Sequence, residues 1–375
     1  MNSALIDKAN PQRWSLTKAL ATLHLDALLL MGLMALLTVG LMILYSAGEQ
    51  SSALMMRQLI RIGAAFFVMV VLANIHPDRM RDWAYLLYGA GLILLMGVLL
   101  FGHEGKGAQR WLDLGFFRFQ PSELMKLAVP LLVAGYLAER PLSPSVGRLI
   151  IGLIMIIVPA LLIAKQPDLG TSLLIASSGL IVIFLSGISW RIIIGFIVVC
   201  TSALPVLWYV MHDYQRQRVM TFLNPESDPL GSGYHIIQSK IAIGSGGLFG
   251  LGWLEGTQAQ LAFLPERSTD FIFAVIAEEF GLVGVGILLL SYLLIAGRGL
   301  YIASQAQTSF ARLLAGSISM TFLVYVFVNV GMVTGLLPVV GVPLPLVSYG
   351  GTSMVTLLAG FGILMSIHTH RRMMS

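Results

Sequence analysis

The sequence predicts an all-α polytopic integral membrane protein of about ten transmembrane helices, with one long extracytoplasmic loop between spans seven and eight. Three observations carry this. Apolar runs of about twenty residues, each long enough to cross a hydrocarbon core of about 30 Å, recur along nearly the whole of the 375-residue chain. Charged residues make up only 11% of the chain, less than half of the roughly 25% usual in soluble domains, and mean hydropathy is +0.85. One interval, Met211–Asp270, breaks the alternation of apolar runs and short polar links. Backbone polar groups in lipid must be satisfied within the span, so runs of this length read as helices.

Taken in order, the spans fall at Leu25–Ser46, Leu54–Ile75, Ala84–Phe101, Ser122–Ala138 and Leu149–Ala164. The second half gives Thr171–Leu185, Ile192–Met211, Phe271–Ala296, Leu313–Thr334 and Gly350–Ile367. The excess of basic residues on cytoplasmic segments sets the direction. With the N-terminus inside, inner segments carry Lys8, Arg13, Lys18, Arg79, Arg81, Arg140, Arg148, Arg191, Arg298, Arg312, Arg371 and Arg372, and the outer connection Pro338–Tyr349 carries no Lys or Arg. Lys106, Arg110, Arg118, Lys165, Arg216, Arg218, Lys240 and Arg267 fall outside, in the longest loops, where the charge rule is weakest. Residues 1–24 and 368–375 are therefore expected in the cytoplasm, and 211–270 on the outer face. A long loop between packed elements is functional or disordered, and this one is too apolar and glycine-punctuated for disorder. Chemistry there has no access to cytoplasmic nucleotides and needs a donor activated beforehand.

The net charge of +5 is spread singly between spans and argues against a nucleic-acid partner. The single Cys200 lies in an apolar run, so there is no disulfide framework, and a small buried hydrophobe is its expected role. The first apolar run is too long for a cleavable signal peptide and lacks a small-residue cleavage site.

The candidate chemistry gathers in the outer segments. Gly107-Ala-Gln-Arg110-Trp111 follows span three, and Trp111 reads either as an interfacial belt aromatic or as a platform for a sugar or lipid head group. Gln120-Pro-Ser-Glu-Leu-Met-Lys126 opens span four, with Glu123 and Lys126 three residues apart on one helix face. A charge inside a span costs about 2.5–3.5 kcal/mol, which makes this pair a functional candidate, although a structural ion pair near the interface fits the same spacing. Lys165-Gln-Pro-Asp168-Leu-Gly is a tight turn in which Asp168 either binds or caps the next helix. In the long loop, Tyr214-Gln-Arg-Gln-Arg218 offers cations for a phosphate, or for snorkelling to the interface. Gly231-Ser-Gly-Tyr-His-Ile-Ile-Gln-Ser-Lys240 leads into Gly244-Ser-Gly-Gly-Leu-Phe-Gly-Leu-Gly252-Trp253. These glycines match no nucleotide-binding fingerprint and fit close backbone packing in a re-entrant segment. Phe263-Leu-Pro-Glu266-Arg-Ser-Thr-Asp270 runs into span eight and places Asp270 at the outer mouth of a helix. Glu278 and Glu279 lie about 12 Å deeper, Glu279 on nearly the opposite face, and read as structural or partner-facing.

Together these stretches resemble the SEDS family (shape, elongation, division and sporulation) over essentially the whole chain. The resemblance rests on Arg110-Trp111, on Gln120 to Lys126, on Lys165-Gln-Pro-Asp168-Leu-Gly-Thr and on Asn224-Pro-Glu-Ser-Asp-Pro-Leu-Gly. It rests also on Gly256-Thr-Gln258, on Leu264-Pro-Glu-Arg-Ser-Thr-Asp-Phe-Ile-Phe and on Gly341-Val-Pro-Leu-Pro-Leu-Val-Ser-Tyr-Gly-Gly-Thr-Ser353. The Pro338–Ser353 stretch is similar to the elongation type. The family commonly carries His at the position of Ser268, a departure that leaves Asp270 in place.

The resemblance implies one SEDS-type transmembrane domain over 1–375, in the bacterial cytoplasmic (inner) membrane. It implies a peptidoglycan glycosyltransferase that polymerises lipid II into β-1,4 glycan outside that membrane during elongation and rod-shape maintenance, releasing undecaprenyl pyrophosphate. The implied partners are a class B penicillin-binding protein transpeptidase and other elongation-complex proteins. Asp270 is the expected catalytic base. Arg110, Trp111, Glu123, Lys126, Asp168, Arg218, Lys240 and Glu266 are the expected substrate-binding residues. Protein cations or a divalent cation (Mg or Mn) would offset the pyrophosphate charge, and no nucleotide is expected. A flippase for lipid-linked precursors, or a scaffold that docks a transpeptidase, are the competing readings.

Overall fold

The structure, a computed structural model, describes residues 22–105, 108–113, 118–140, 144–211, 213–227, 232–260, 263–264 and 266–370. Lys8, Arg13, Lys18, Lys106, Gly107, Gly231, Arg371 and Arg372, and residues 228–230 of the Asn224 motif, lie outside them. Arg118, Cys200 and Tyr214 are described through their backbone alone.

Helix starts follow local chemistry. α1 (Ala27–Ala47) begins where the Asp26 carboxylate accepts the Leu29 N–H at 2.8 Å. α2 (Ser52–Ala73) is capped by Ser51, and α3 (Pro77–Phe101) carries its proline in the first turn, where the missing N–H costs nothing. A small antiparallel sheet follows, with β1 (His103–Gly105) pairing β2 (Ala108–Asp113) and β2 pairing β3 (Arg118–Phe119). It is an addition to the expected all-α architecture. Then come α4 (Pro121–Ala138), α5 (Val146–Lys165), α6 (Leu169–Leu185, capped by Asp168) and α7 (Trp190–Val210). The long loop contains α8 (Asp213–Leu223), a 3₁₀ turn at Pro225–Ser227, α9 (Ser232–Ser245) and α10 (Thr257–Gln260). α11 (Ile272–Ser304), α12 (Ser309–Thr334) and α13 (Thr352–Thr369) complete the chain.

Among the described residues eight helices, α1–α5 and α11–α13, are long and apolar enough to cross a membrane, and α6 and the Trp190–Ala203 part of α7 are shorter apolar helices. In sequence they overlap the ten expected spans, eight of them with the length and composition to cross. Two helices outrun their expected spans the most: α3 starts at Pro77 rather than Ala84, and α11 continues to Ser304 rather than Ala296. Hydropathy marks what lies in lipid, whereas the helical hydrogen bonds continue into the polar flanks. α4 and α13 are the most enclosed spans and α2 and α3 among the least. α2 packs on α13, α3 on α4, α12 on α6 and α11, and α1 on α11.

Ion pairs tie matching ends together. At one end Asp26 meets Arg298 at 2.6 Å and His368 at 3.0 Å. At the other Arg267 meets Glu49, and Arg110 lies 3.6 Å from Asp168.

Two non-helical segments enter the bundle, as backbone at membrane depth can where protein surrounds it. The first is the glycine-rich stretch after α9. A Cβ on Gly246 would lie 1.9 Å from the Ala277 carbonyl oxygen, and one on Gly250 (φ +82°) 2.1 Å from that of Glu279. Gly281 (φ +63°) breaks α11 here. The Leu251 and Gly252 N–H groups donate to the carbonyls of Glu278 and Glu279, and the Leu282 and Val283 N–H groups to those of Gly247 and Leu248. The stretch thus supplies partners for the backbone groups that the break exposes. Glu278 accepts from Thr257 Oγ1 and the Gln258 N–H, and Glu279 from Ser46 Oγ, so both glutamates are structural.

The second is 336–351. Far from being a plain surface connection, it buries Val342, Leu344, Leu346, Val347 and Ser348. Tyr292 donates its hydroxyl proton to the Pro345 carbonyl at 2.7 Å, and a Cβ on Gly40 would lie 2.9 Å from the Leu346 carbonyl oxygen.

Candidate active site

Pro121 starts α4, so Glu123 falls in the first turn and Lys126 on the same face. Their ion pair closes at 2.8 Å, with both side chains buried. The Lys126 ammonium also lies 5.4 Å from the Tyr325 ring centroid. Glu123 Oε2 is buried with no hydrogen-bond partner among the described residues, an acceptor left over beside a cavity. Asp168 performs both of the roles open to it: it accepts the Thr171 N–H at 3.2 Å as the α6 cap, and it receives Gln120 Nε2 at 3.3 Å beside the Arg110 guanidinium. Arg110 in turn donates to the Pro167 carbonyl at 2.6 Å, which fixes β2 against the α5–α6 turn.

Asp270 precedes α11, whose N-cap is Phe271 with no side-chain cap bond, so Asp270 is not the capping residue. Its backbone and that of the two residues before it are fixed by α12 and the second re-entrant segment. Asn329 Nδ2 donates to the Asp270 carbonyl at 2.9 Å and to the Val342 carbonyl at 2.7 Å. Ser348 Oγ donates to the Thr269 carbonyl at 2.6 Å, and the Tyr349 N–H to that of Ser268 at 2.8 Å. Gly341 (φ +73°) passes so close that a Cβ there would lie 3.5 Å from Asp270 Oδ2.

These residues surround two connected spaces. The larger, about 1230 Å³, opens at Asp270, Arg110, Trp111 and Glu123 and runs between α2, α3, α4 and α13 along apolar walls to Ile75, Met80 and Trp83. The smaller, about 300 Å³, is polar and lined by Glu123, Lys126, Asp168, Arg110 and Tyr349. A charged chamber continuous with a long apolar groove suits an amphiphile: a polar head beside the carboxylates and a hydrocarbon chain along the helices.

Of the expected site residues, Asp270, Arg110, Trp111, Glu123, Lys126 and Asp168 line these spaces. Arg218, Lys240 and Glu266 line neither. Glu266 (φ +50°) builds the turn before Asp270: its carbonyl accepts from the Thr269 and Phe271 N–H groups and its carboxylate from Thr269 Oγ1 at 2.7 Å. Lys240 is exposed on α9, with Nζ 2.9 Å from where a Gly335 Cβ would be, and Arg218 lies on α8. Sequence reasoning missed Arg61 and Asn329, and gave no role to Ser348 and Tyr349 although both fall in the Gly341–Ser353 stretch that carries the resemblance. Arg61, a charge within an apolar run, is open to the same rule that singles out Glu123 and Lys126. Asn329 has no comparable signal, because its partners are distant backbone carbonyls.

Residues 18–373 match the FTSW_RODA_SPOVE family, described as cell cycle protein. The chain is 58% identical over 354 residues to the peptidoglycan glycosyltransferase MrdB of Escherichia coli K12, covering 94% of this chain and 96% of that protein. It is 33% identical to the peptidoglycan glycosyltransferase RodA of Treponema pallidum, covering 92% and 98%. Among solved structures it resembles the rod shape determining protein RodA of Thermus thermophilus, with 31% identity, TM-score 0.70, and 92% and 96% of the two chains covered. It also resembles a chain from a structure described as "Structural coordination of polymerization and crosslinking by a peptidoglycan synthase complex", with 34% identity, TM-score 0.81, and 92% and 99% covered.

Proposed function

The chain belongs to the FtsW/RodA/SpoVE (SEDS) family, and from that premise we propose that its outer chamber polymerises lipid II with Asp270 as general base. It is a multi-pass membrane protein and a peptidoglycan glycosyltransferase. The observation that carries the site assignment is the cavity itself: Asp270 stands at the polar mouth of an apolar groove that runs along α2, α3, α4 and α13.

The acceptor is a sugar hydroxyl, a weak nucleophile that must lose its proton as it attacks. Asp270 takes that proton as the hydroxyl oxygen bonds to the donor's anomeric carbon. The bond from that carbon to the phosphate oxygen breaks, and its electron pair leaves with the diphosphate. An α-linked donor and a β-linked product require one inverting displacement. A single carboxylate therefore suffices, where most glycoside hydrolases use two. The three hydrogen bonds that fix residues 268–270 hold the base in place, which matters because misplacement of a reacting group by about 1 Å can cost 10²-fold. Lys126, anchored by Glu123, and Arg110, anchored by Asp168, supply positive potential to the chamber. Glu123 Oε2 can accept from a sugar hydroxyl or amide.

A divalent cation would have no all-protein cage here and would be held by one or two carboxylates together with the substrate's phosphate oxygens. No three His, Cys, Asp or Glu side chains converge among the described residues, and Glu123 and Asp168 are engaged by cations. We assign part of the counter-charge to side chains, with Mg or Mn on the substrate's phosphates as the other source. We further propose that both termini are cytoplasmic, that 211–270 faces outward from the inner membrane, and that the partners are a class B penicillin-binding protein and other elongation-complex proteins. The resemblance to a chain of a peptidoglycan synthase complex supports the partnership.

Purified protein mixed with lipid II should yield glycan strands resolvable by gel. Because the groove reaches the inner ends of α2 and α3, lipid flipping is the reading to test alongside. Movement of fluorescent lipid II across vesicles without any polymer would favour the flippase and overturn the enzyme assignment.

A further inference from the structure

We propose that Arg61 binds the diphosphate of the lipid-linked donor and stabilises the charge that it carries away as leaving group, an inference that rests on the polymerase reading above. Arg61 lies in Leu59-Ile-Arg61-Ile-Gly-Ala-Ala-Phe-Phe, an otherwise apolar stretch of α2, about 14 Å along the helix from its outer end. A charge at that depth is costly and is retained for a reason.

Three observations identify the reason. First, Arg61 lines both the polar chamber and the apolar groove. Arg110 and Lys126 are each close to a carboxylate, whereas among the described residues Arg61 has no carboxylate within ion-pair distance. Secondly, its guanidinium lies 4.4 Å from the Tyr349 ring centroid. A ring contact of this kind engages the guanidinium face and leaves edge N–H groups to donate, the geometry suited to bidentate phosphate recognition. Gly351 leaves room beside it, since a Cβ there would lie 3.3 Å from Arg61 Nε. Tyr349 is bonded through its N–H to the Ser268 carbonyl, two residues before the base, so one segment carries the platform for the cation and fixes the turn of the base.

Thirdly, Arg61 heads a stripe. Ala64, Val68 and Leu72 follow at helical spacing on the same face of α2, and all three line the groove, which continues to Ile75. A cation above an apolar stripe matches a phosphate head joined to a prenyl chain. In the reaction Arg61 moves no proton. It donates N–H groups to the diphosphate oxygens that gain the electron pair as the bond to the anomeric carbon breaks.

The test uses full-length protein in detergent. Binding of undecaprenyl diphosphate, undecaprenol and inorganic diphosphate is measured by native mass spectrometry, beside polymerisation of lipid II. Arg61→Gln should weaken undecaprenyl diphosphate at least tenfold, leave undecaprenol unchanged, and lower the polymerisation kcat at least tenfold. Arg61→Lys, which keeps a charge without the planar fork, should fall between. Inorganic diphosphate should bind wild type far more weakly than the lipid. Wild-type diphosphate affinity in Arg61→Gln would overturn the proposal, as would an equal loss of undecaprenol binding, which would mark a structural role. Asp270→Asn should still bind undecaprenyl diphosphate through Arg61. If that variant polymerises normally the base assignment fails, while the Arg61 result stands or falls on the binding data alone.

Discussion

At the scale of single residues, the chamber is a set of charges each held by a named neighbour. Lys126 and Glu123 form a buried pair, and removing one member of such a pair strands the other at about 3–5 kcal/mol. Lys126→Met should lower the melting temperature in detergent and abolish polymerisation. The double variant Glu123→Gln/Lys126→Met should regain the stability but not the activity. Recovery of both would make the pair structural only. Asn329 serves two buried carbonyls, so Asn329→Leu should cost about 2–4 kcal/mol and reduce polymerisation at least tenfold even where the protein is folded. Unchanged activity in the folded variant would show that the contact to the Asp270 carbonyl does not position the base. Asp270, Glu123, Lys126, Arg110 and Asp168 are legible in the sequence because a charge at a span mouth or within a span demands a reason. The roles of Asn329 and of Ser348, which the sequence marks only as part of a motif, are not, because they act on carbonyls 59 and 79 residues away.

At the scale of elements, the spans are legible because lipid imposes a length and a composition on each of them. The re-entrant segments are not, since their backbone is satisfied by long-range contacts that leave only glycines as a trace. The break in α11 makes this testable. Gly250→Ala adds a Cβ against backbone at positive φ and should cost about 3 kcal/mol or more, whereas Gly63→Ala, in the interior of α2 with open space around it, should not lower the melting temperature. Equal tolerance would mean that the glycine stretch does not hold the break. At the opposite end, His370 caps α13, stacks on His24 at 4.2 Å and meets His76 edge-on at 5.2 Å. Burial first, and then the neighbouring His24 and His76, push its pKa below the usual histidine value. The folded state then binds fewer protons than the unfolded one. Its contribution is present above about pH 6.5 and is lost as pH falls further, toward protonation of the folded form. Thermal unfolding between pH 5 and 8 should show this slope, and His370→Phe should flatten part of it. An unchanged slope would remove His370 from the account.

At the scale of the whole molecule, the ends tied by Asp26, Arg298 and His368 and those tied by Arg110 and Asp168 define two faces, and the charge rule is the ground on which we propose the second as the outer one. In a Cys200→Ser background, a membrane-impermeant thiol reagent should label Gln217→Cys and spare Gln305→Cys; the reverse pattern would put the chamber on the wrong side for a donor activated beforehand. The central claim is that this outer chamber performs the transfer through Asp270. Purified Asp270→Asn measured beside wild type tests it most directly, for loss of a positioned base costs about 10²–10⁴ in rate. The account predicts a protein that accumulates and melts normally, binds lipid II and makes almost no glycan. Polymerisation by Asp270→Asn at close to the wild-type rate would contradict it.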